Sequence, residues 1–254
     1  MTKPLLPPAT IGIVGGGQLG RMLAQSAKQM GYTVGVLDPT PNAPAAQVAD
    51  FQIQSDYADT DALLRLAKQS DVLTYEFENV DLAALTAAQA FAALPQGTEL
   101  LRQTRQRITE KTFLRQHGIP TAAFASVPDA EALPAAIAAV GYPAILKTTT
   151  GGYDGHGQQD LTTPADLPAA QALAAQAPCI LEQRLEFSRE LSVMVTRDGN
   201  DDVRVFPVVE NRHQHHILHT TIAPAPGLAP ALHRQITTLA ATIANALQLR
   251  GVLG

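Results

Sequence analysis

The sequence predicts an α/β chain: an open, doubly wound parallel sheet over about the first hundred residues, followed by an α+β unit. Three observations predict it. Strand-like and helix-like runs alternate from Thr10 to Phe77, a glycine turn joins the first strand to the first helix, and the pattern changes after Thr104, where a second glycine-rich loop follows.

Thr10 to Val14 is a β-rich apolar run, and the turn after it leads into a helical pattern in Leu19, Met22, Leu23, Ser26, Ala27 and Met30, closed by Gly31 as a C-cap. Thr33 to Leu37 reads as the second strand, Thr60 to Gln69 as a helix and Val72 to Phe77 as the third strand. A charged helix over Gln106 to His117 ends at Gly118, and Pro120 starts extended chain. Strands are expected at Ala144 to Lys147, Cys179 to Gln183 and Leu191 to Thr196, with helices at Ala130 to Val140 and Pro168 to Ala175. The expected domains are 1–104 and 105–254, the latter with a glycine-rich lid subdomain over about 118–183.

With 46% hydrophobic positions in 254 residues, the chain can bury the core of one large domain or two modest ones. A net charge of -5 and the lack of a basic block interleaved with aromatics exclude nucleic acid as a general partner. Met1 to Thr10 has no apolar targeting core and no later run suits a bilayer, so a cytoplasmic location with no membrane partner is expected. The single cysteine, Cys179, lies in an apolar run; it excludes an internal disulfide and reads as a small buried strand residue.

Gly15-Gly16-Gly17-Gln18-Leu19-Gly20 satisfies G-x-G-x-x-G between a strand and a helix, and Asp38 closes the second strand where a ribose-binding acid would lie. Alone, this favours an NAD(P)-dependent oxidoreductase. The physics is broader, because glycines permit close approach and a helix N-terminus offers N–H groups to any anion, a sugar phosphate included. No hydride-transfer dyad follows in the second half. Instead Lys147 ends an apolar strand and is followed by Gly151-Gly152-Tyr153-Asp154-Gly155-His156-Gly157-Gln158. Four glycines in seven residues make a loop that is costly to order unless a ligand orders it, and a lysine at its root suits nucleotide phosphates. The strand Cys179 to Gln183, running into Arg184 and Leu185 with Glu190 beyond, is of a kind that can pair backbone with an adenine edge while a carboxylate takes ribose hydroxyls.

The histidines His213, His215, His216 and His219 invite a metal reading. As one strand, the segment would place His213, His215 and His219 on one face, yet no carboxylate or cysteine stands at ligand spacing. No metal ligand is assigned.

Taken together, Gly15 to Met22, Thr74 to Val80, Arg107-Ile-Thr-Glu-Lys111, Lys147 with 151–158, and Glu182-Gln183 resemble the carboxyaminoimidazole ribonucleotide synthases of the ATP-grasp superfamily, in order over nearly the whole chain. The resemblance implies an N-terminal Rossmann-like (pre-ATP-grasp) parallel sheet followed by an incomplete α+β ATP-grasp domain. It implies that ATP is held by Arg107, Lys147, Gly152, Tyr153, Asp154, Gly155, His156, Gly157, Gln158, Glu182, Gln183, Arg184, Leu185, Glu190 and His213. It further implies that aminoimidazole ribonucleotide is held by Gln18, Glu76, Tyr153 and Asp154, with Lys147, Tyr153 and Asp154 at the reacting groups. The implied reaction is ATP-dependent carboxylation with bicarbonate through carboxyphosphate, in purine biosynthesis, by a homodimer using Mg2+. In that family acidic magnesium ligands lie further along, so they are expected beyond residue 254. Reduced stability or altered association is expected of the shorter chain, with nucleotide binding without turnover as the alternative to catalysis.

Overall fold

A computed structural model describes residues 4–151, 156–214 and 217–254. The chain divides into two compact units, residues 1–102 and 103–254.

The first unit contains β1 (Thr10–Val14), α1 (Gln18–Gln29), β2 (Thr33–Leu37), β3 (Phe51–Ile53), α2 (Thr60–Lys68), β4 (Val72–Tyr75) and α3 (Leu82–Ala88), and α4 (Glu99–Thr104) runs across its end. The sheet is parallel throughout in the order β3-β2-β1-β4. Period-two alternation gives it two apolar faces. Val14, Leu37 and Leu73 pack with Leu63 and Leu66 of α2 on one side, and Ile13, Val34 and Val36 pack with Ala24 and Ala27 of α1 on the other. Asp59 and Asp81 cap α2 and α3 by accepting from the Ala62 and Ala84 amides.

Two expectations change here. Of the periodic residues that mark α1, Ala27 alone lies on its buried face, beside Gly20 and Ala24, whereas Leu19, Met22, Leu23, Ser26 and Met30 are exposed. Small residues let the helix lie close against β1 and β2. Strand β4 stops at Tyr75 rather than at Phe77, and Glu76 N–H makes one further bond, to Val14 O of β1 at 3.2 Å.

The second unit contains α5 (Arg107–Gln116), β5 (Phe124–Val127), α6 (Leu133–Val140), β6 (Ala144–Thr148), β7 (Gln158–Leu161), α7 (Leu167–Ala174), β8 (Cys179–Gln183), β9 (Glu190–Ser192), β10 (Val195–Arg197), β11 (Val203–Val205), β12 (Val209–Gln214), β13 (Ile217–Ile222), α8 (Pro230–Ala246) and β14 (Gly251–Leu253). Its largest sheet is antiparallel in the order β5-β8-β6-β7. Ala144, Leu146, Cys179 and Leu181 face the core formed with Leu133 and Ala136 of α6 and Ala170 and Ala174 of α7. The alternate residues, Ile145, Lys147, Ile180 and Glu182, therefore share the opposite face. Cys179 is fully buried, and burial pushes its thiol up.

The expected strand from Leu191 to Thr196 is two strands in different sheets. Strand β9 pairs with β12, while β10 pairs with β11 and β14. The break leaves Met194 exposed while its carbonyl accepts from Phe206 N–H, so one apolar run serves two sets of partners. The histidine segment is likewise not one strand but the hairpin β12–β13, in which His213 opposes Leu218, with a register shift between Arg212 and His213. Of the trio expected on one face, His213 lies on β12 and His219 on β13. His215 and His216 lie outside the described residues.

Candidate nucleotide and ribonucleotide sites

In the first unit, the glycine loop is folded around two carboxylates of the protein itself. Gly15 has φ of +107°, and a Cβ there would stand 2.4 Å from Glu76 Cγ, so only glycine admits the carboxylate at this place. At Gly20 a Cβ would meet Gly15 O at 2.4 Å, which sets how tightly the loop meets α1. Gly16 N–H donates to Asp38 Oδ2 at 2.8 Å, and Gly17 N–H donates to Glu76 Oε1 at 3.3 Å. Asp38 also accepts from Thr40 N–H at 2.8 Å and Tyr57 O–H at 2.6 Å.

These bonds take up two amides of the loop, those of Gly16 and Gly17. Amides already donating to carboxylates do not present free positive ends to a phosphate. Asp38, placed by its spacing as a ribose acid for a dinucleotide, is buried and turned inward, and its work is to hold the loop. Burial opposes its charge, but the hydrogen bonds from Tyr57, Thr40 and Gly16 outweigh that and hold it below the usual carboxylate range. Burial of Tyr57, reinforced by its hydrogen bond to Asp38 and by the Asp38 charge, pushes its hydroxyl up.

Of the two described ribonucleotide candidates, Gln18 opens α1 and is exposed, and Glu76 sits beside the adjoining Gly17. Burial pushes the Glu76 carboxyl up, against the Gly17 and Gly20 amides and with the added repulsion of Asp38 and Glu78. Such a group has one face to the loop and is half-buried on the other, a geometry suited to hydroxyl or amine donors rather than anions. Tyr153 and Asp154 lie outside the described residues, as do Gly152 and Gly155.

In the second unit, Lys147 lies on the sheet face turned away from α6 and α7. Its Nζ donates to Glu182 Oε2 at 3.0 Å, a diagonal pairing that follows from Ile145 opposing Glu182 and Lys147 opposing Ile180. Lys111 of α5 stands 3.6 Å from the other oxygen, Oε1. The sequence had singled out Lys111 only as part of a motif; its role depends on a contact across 71 positions of chain, which no local pattern encodes. Beside these groups, burial pushes the Glu110 carboxyl up, with Lys111 and Arg107 opposing.

The loop after Lys147 is pinned at its root. Thr148 N–H donates to Gly157 O at 2.8 Å, Gln158 opposes Lys147, and Arg107 N–H at the start of α5 donates to Thr149 O at 3.0 Å. His156 is exposed at its far end. In the segment Glu182 to Leu185, Gln183 N–H and Arg184 N–H donate to Ala123 O and Pro143 O, so these two amides are taken and do not serve an adenine edge. The Arg184 side chain pairs with Asp160 at 3.4 Å, and Leu185 is exposed.

Glu190 and His213 come together as a pair, Oε2 to Nδ1 at 2.8 Å, because β9 and β12 are neighbours. They occupy a different sheet from Lys147. Sheet pairing thus supplies the carboxylate partner that the spacing around His213 did not reveal. Among the described residues no group of three or more His, Cys, Asp or Glu side chains could hold a metal ion, so no step through a metal is assigned to these residues.

The ATP-grasp domain family matches residues 112–254, and the ribonucleotide synthetase preATP-grasp domain family matches residues 8–101. N5-carboxyaminoimidazole ribonucleotide synthase of Bacillus subtilis is 44% identical over 254 residues, all of this chain and 67% of that protein. A solved N5-carboxyaminoimidazole ribonucleotide synthetase in complex with ADP is 48% identical with a TM-score of 0.95, covering 99% of this chain and 67% of its own. The Aspergillus clavatus enzyme with ADP and 5-aminoimidazole ribonucleotide is 30% identical with a TM-score of 0.87, covering 96% of this chain and 64% of its own. The chain thus spans about two thirds of the length of these relatives. A mixed α/β chain with a parallel first sheet, antiparallel further sheets and these matches along its length belongs to the ATP-grasp ligases and, among them, to the N5-carboxyaminoimidazole ribonucleotide synthases.

Proposed function

We propose that this chain supplies the ATP-binding and part of the ribonucleotide-binding machinery for carboxylation of 5-aminoimidazole ribonucleotide. In that reaction a bicarbonate oxygen attacks the γ-phosphorus of ATP and ADP leaves. The exocyclic amine then attacks the carbon of carboxyphosphate, losing a proton, and phosphate leaves. Such chemistry asks the protein for positioning, charge neutralisation and exclusion of water rather than a covalent nucleophile.

The observation that carries the reading is Lys147, held by Glu182 on the sheet face turned away from α6 and α7, at the root of the glycine loop. A lysine so placed meets phosphate oxygens as a point charge, and Gly152 to Gln158 are assigned to the same nucleotide, with Tyr153 and Asp154 also assigned to the reacting groups. Arg107 adds a second cation, and the segment Glu182 to Leu185 borders the base. The Glu190–His213 pair offers a carboxylate and a ring nitrogen to ribose hydroxyls. Glu76 and Gln18 contact the aminoimidazole ribonucleotide through hydroxyl or amine groups, because the adjoining amides of Gly16 and Gly17 are already engaged. The same reading includes Mg2+ as the counter-ion of ATP, a homodimer and a cytoplasmic setting; among the described residues no helix is long and apolar enough to cross a membrane.

The test is ADP titration by calorimetry, followed by ADP release with ATP, bicarbonate and the ribonucleotide. ADP should bind, and Lys147→Ala should weaken it by about tenfold or more. Binding of NADP+ in place of ADP, or indifference to Lys147→Ala, would overturn the reading. ADP binding without release when the ribonucleotide is added would leave the chain a nucleotide-binding piece without turnover.

A further inference from the structure

Among the described residues, the buried polar or charged side chains are Asp38, Glu182 and Arg197. Asp38 accepts at both oxygens and Arg197 donates to Asn245 Oδ1 and Leu249 O. Glu182 differs: it is 7% exposed, Lys147 takes Oε2, and Oε1 has no hydrogen-bond partner. The group facing Oε1 is Lys111 Nζ at 3.6 Å, about 0.8 Å beyond a charge-assisted hydrogen bond.

We propose that Lys111 is a positioning residue for Lys147: it is the second cation on Glu182, and it neutralises that carboxylate when Lys147 turns to a nucleotide phosphate. The inference rests on the reading of Lys147 as the phosphate-binding lysine. A lysine that is the only partner of a buried carboxylate is a poor phosphate ligand, because leaving strands a buried anion next to a second anion of the same sign. With Lys111 present, a side-chain shift of less than an ångström completes the bond to Oε1 and keeps Glu182 paired whichever way Lys147 points. The placement is built into α5. Lys111 lies one turn after Arg107, whose N–H is tied to Thr149 O at the root of the glycine loop, so the helix that holds the loop also delivers the cation.

A double-mutant cycle separates this role from two others, direct attraction of phosphate and plain stabilisation. ADP affinity is measured by calorimetry on the full chain for wild type, Lys111→Met, Lys111→Arg, Glu182→Gln and the Lys111→Met/Glu182→Gln pair, with Tm recorded for each without nucleotide. Lys111→Met should weaken ADP by about tenfold, Lys111→Arg by less than about threefold, and Lys111→Met in the Glu182→Gln background by less than about threefold. An equal loss in both backgrounds would mean that Lys111 acts on phosphate directly, and a lowered Tm with unchanged affinity would mean a structural role; either overturns this inference alone. Lys111→Gln is read in the same way should the Met variant not fold. A wild-type chain that takes no ADP overturns the nucleotide reading and this inference with it.

Discussion

Replacing Asp38 by Asn tests whether the first glycine loop is held by a carboxylate rather than waiting for a phosphate. In the wild type, Oδ2 accepts from Gly16 N–H and Tyr57 O–H, and Oδ1 accepts from Thr40 N–H. An Asn amide has one oxygen. If it faces Gly16 and Tyr57, its NH2 group meets the Thr40 N–H, and the opposite flip sets it against Gly16. One amide is stranded at about 1–3 kcal/mol, and the remaining bonds lose their charge assistance at about 1 kcal/mol in all, giving about 2–4 kcal/mol. For a chain of this size each kcal/mol moves Tm by about 2–4 °C, so thermal unfolding followed by circular dichroism at pH 7 should show a drop of about 4–16 °C. The pH dependence has a definite sign. Asp38 is held below its usual range when folded, so its contribution is present above the unfolded value and is lost as pH falls through the folded one. The gap between wild type and variant should therefore close on acidification below about pH 4. A Tm within about 1 °C of wild type at pH 7, or a gap constant down to pH 3, would refute the assignment.

Gly15→Ala should cost about 2 kcal/mol or more and displace Glu76, because it combines a φ of +107° with a Cβ 2.4 Å from Glu76 Cγ; chemical denaturation measures it. Glu76→Gln should leave Tm at pH 7 equal to or above wild type. The folded carboxyl is raised, so its favourable contribution exists only at low pH and fades as pH rises through the folded value, and the advantage of Gln should disappear below about pH 4. Arg189→Lys should destabilise the second unit by about 1–2 kcal/mol, since Nε and Nη2 both donate to Glu210 Oε2 and Nη2 also reaches Pro226 O, a fork that an ammonium cannot reproduce. Comparison with Arg189→Ala by urea unfolding checks whether the fork or the charge matters.

Much of the fold was legible because local rules sufficed. The apolar runs of β1, β2 and β8 have the bounds their composition indicates, and the glycine turn before α1 lies where the strand must become a helix. What escaped were elements whose identity depends on a neighbour. Strand β7 reads Gln-Gln-Asp-Leu and is a strand because β6 offers it an edge, and one apolar run became β9 and β10 because each half pairs in a different sheet. Helix α1 shows the same limit, since its periodicity marked a helix while the sheet chose the small face to bury.

For the sites, sequence by itself determined the chemical types: glycines where backbone must turn or admit a carboxylate, a lysine at a loop root, acids and a histidine at strand ends. Tertiary structure alone decided who meets whom. Asp38, 22 positions from Gly16, occupies the amide that a phosphate reading had left open, and Glu182 joins Lys147 and Lys111 from 35 and 71 positions away. The physical reason is one and the same: strand alternation and helix pitch assign each side chain a direction, but the partner found in that direction is set by which strands and helices pack together.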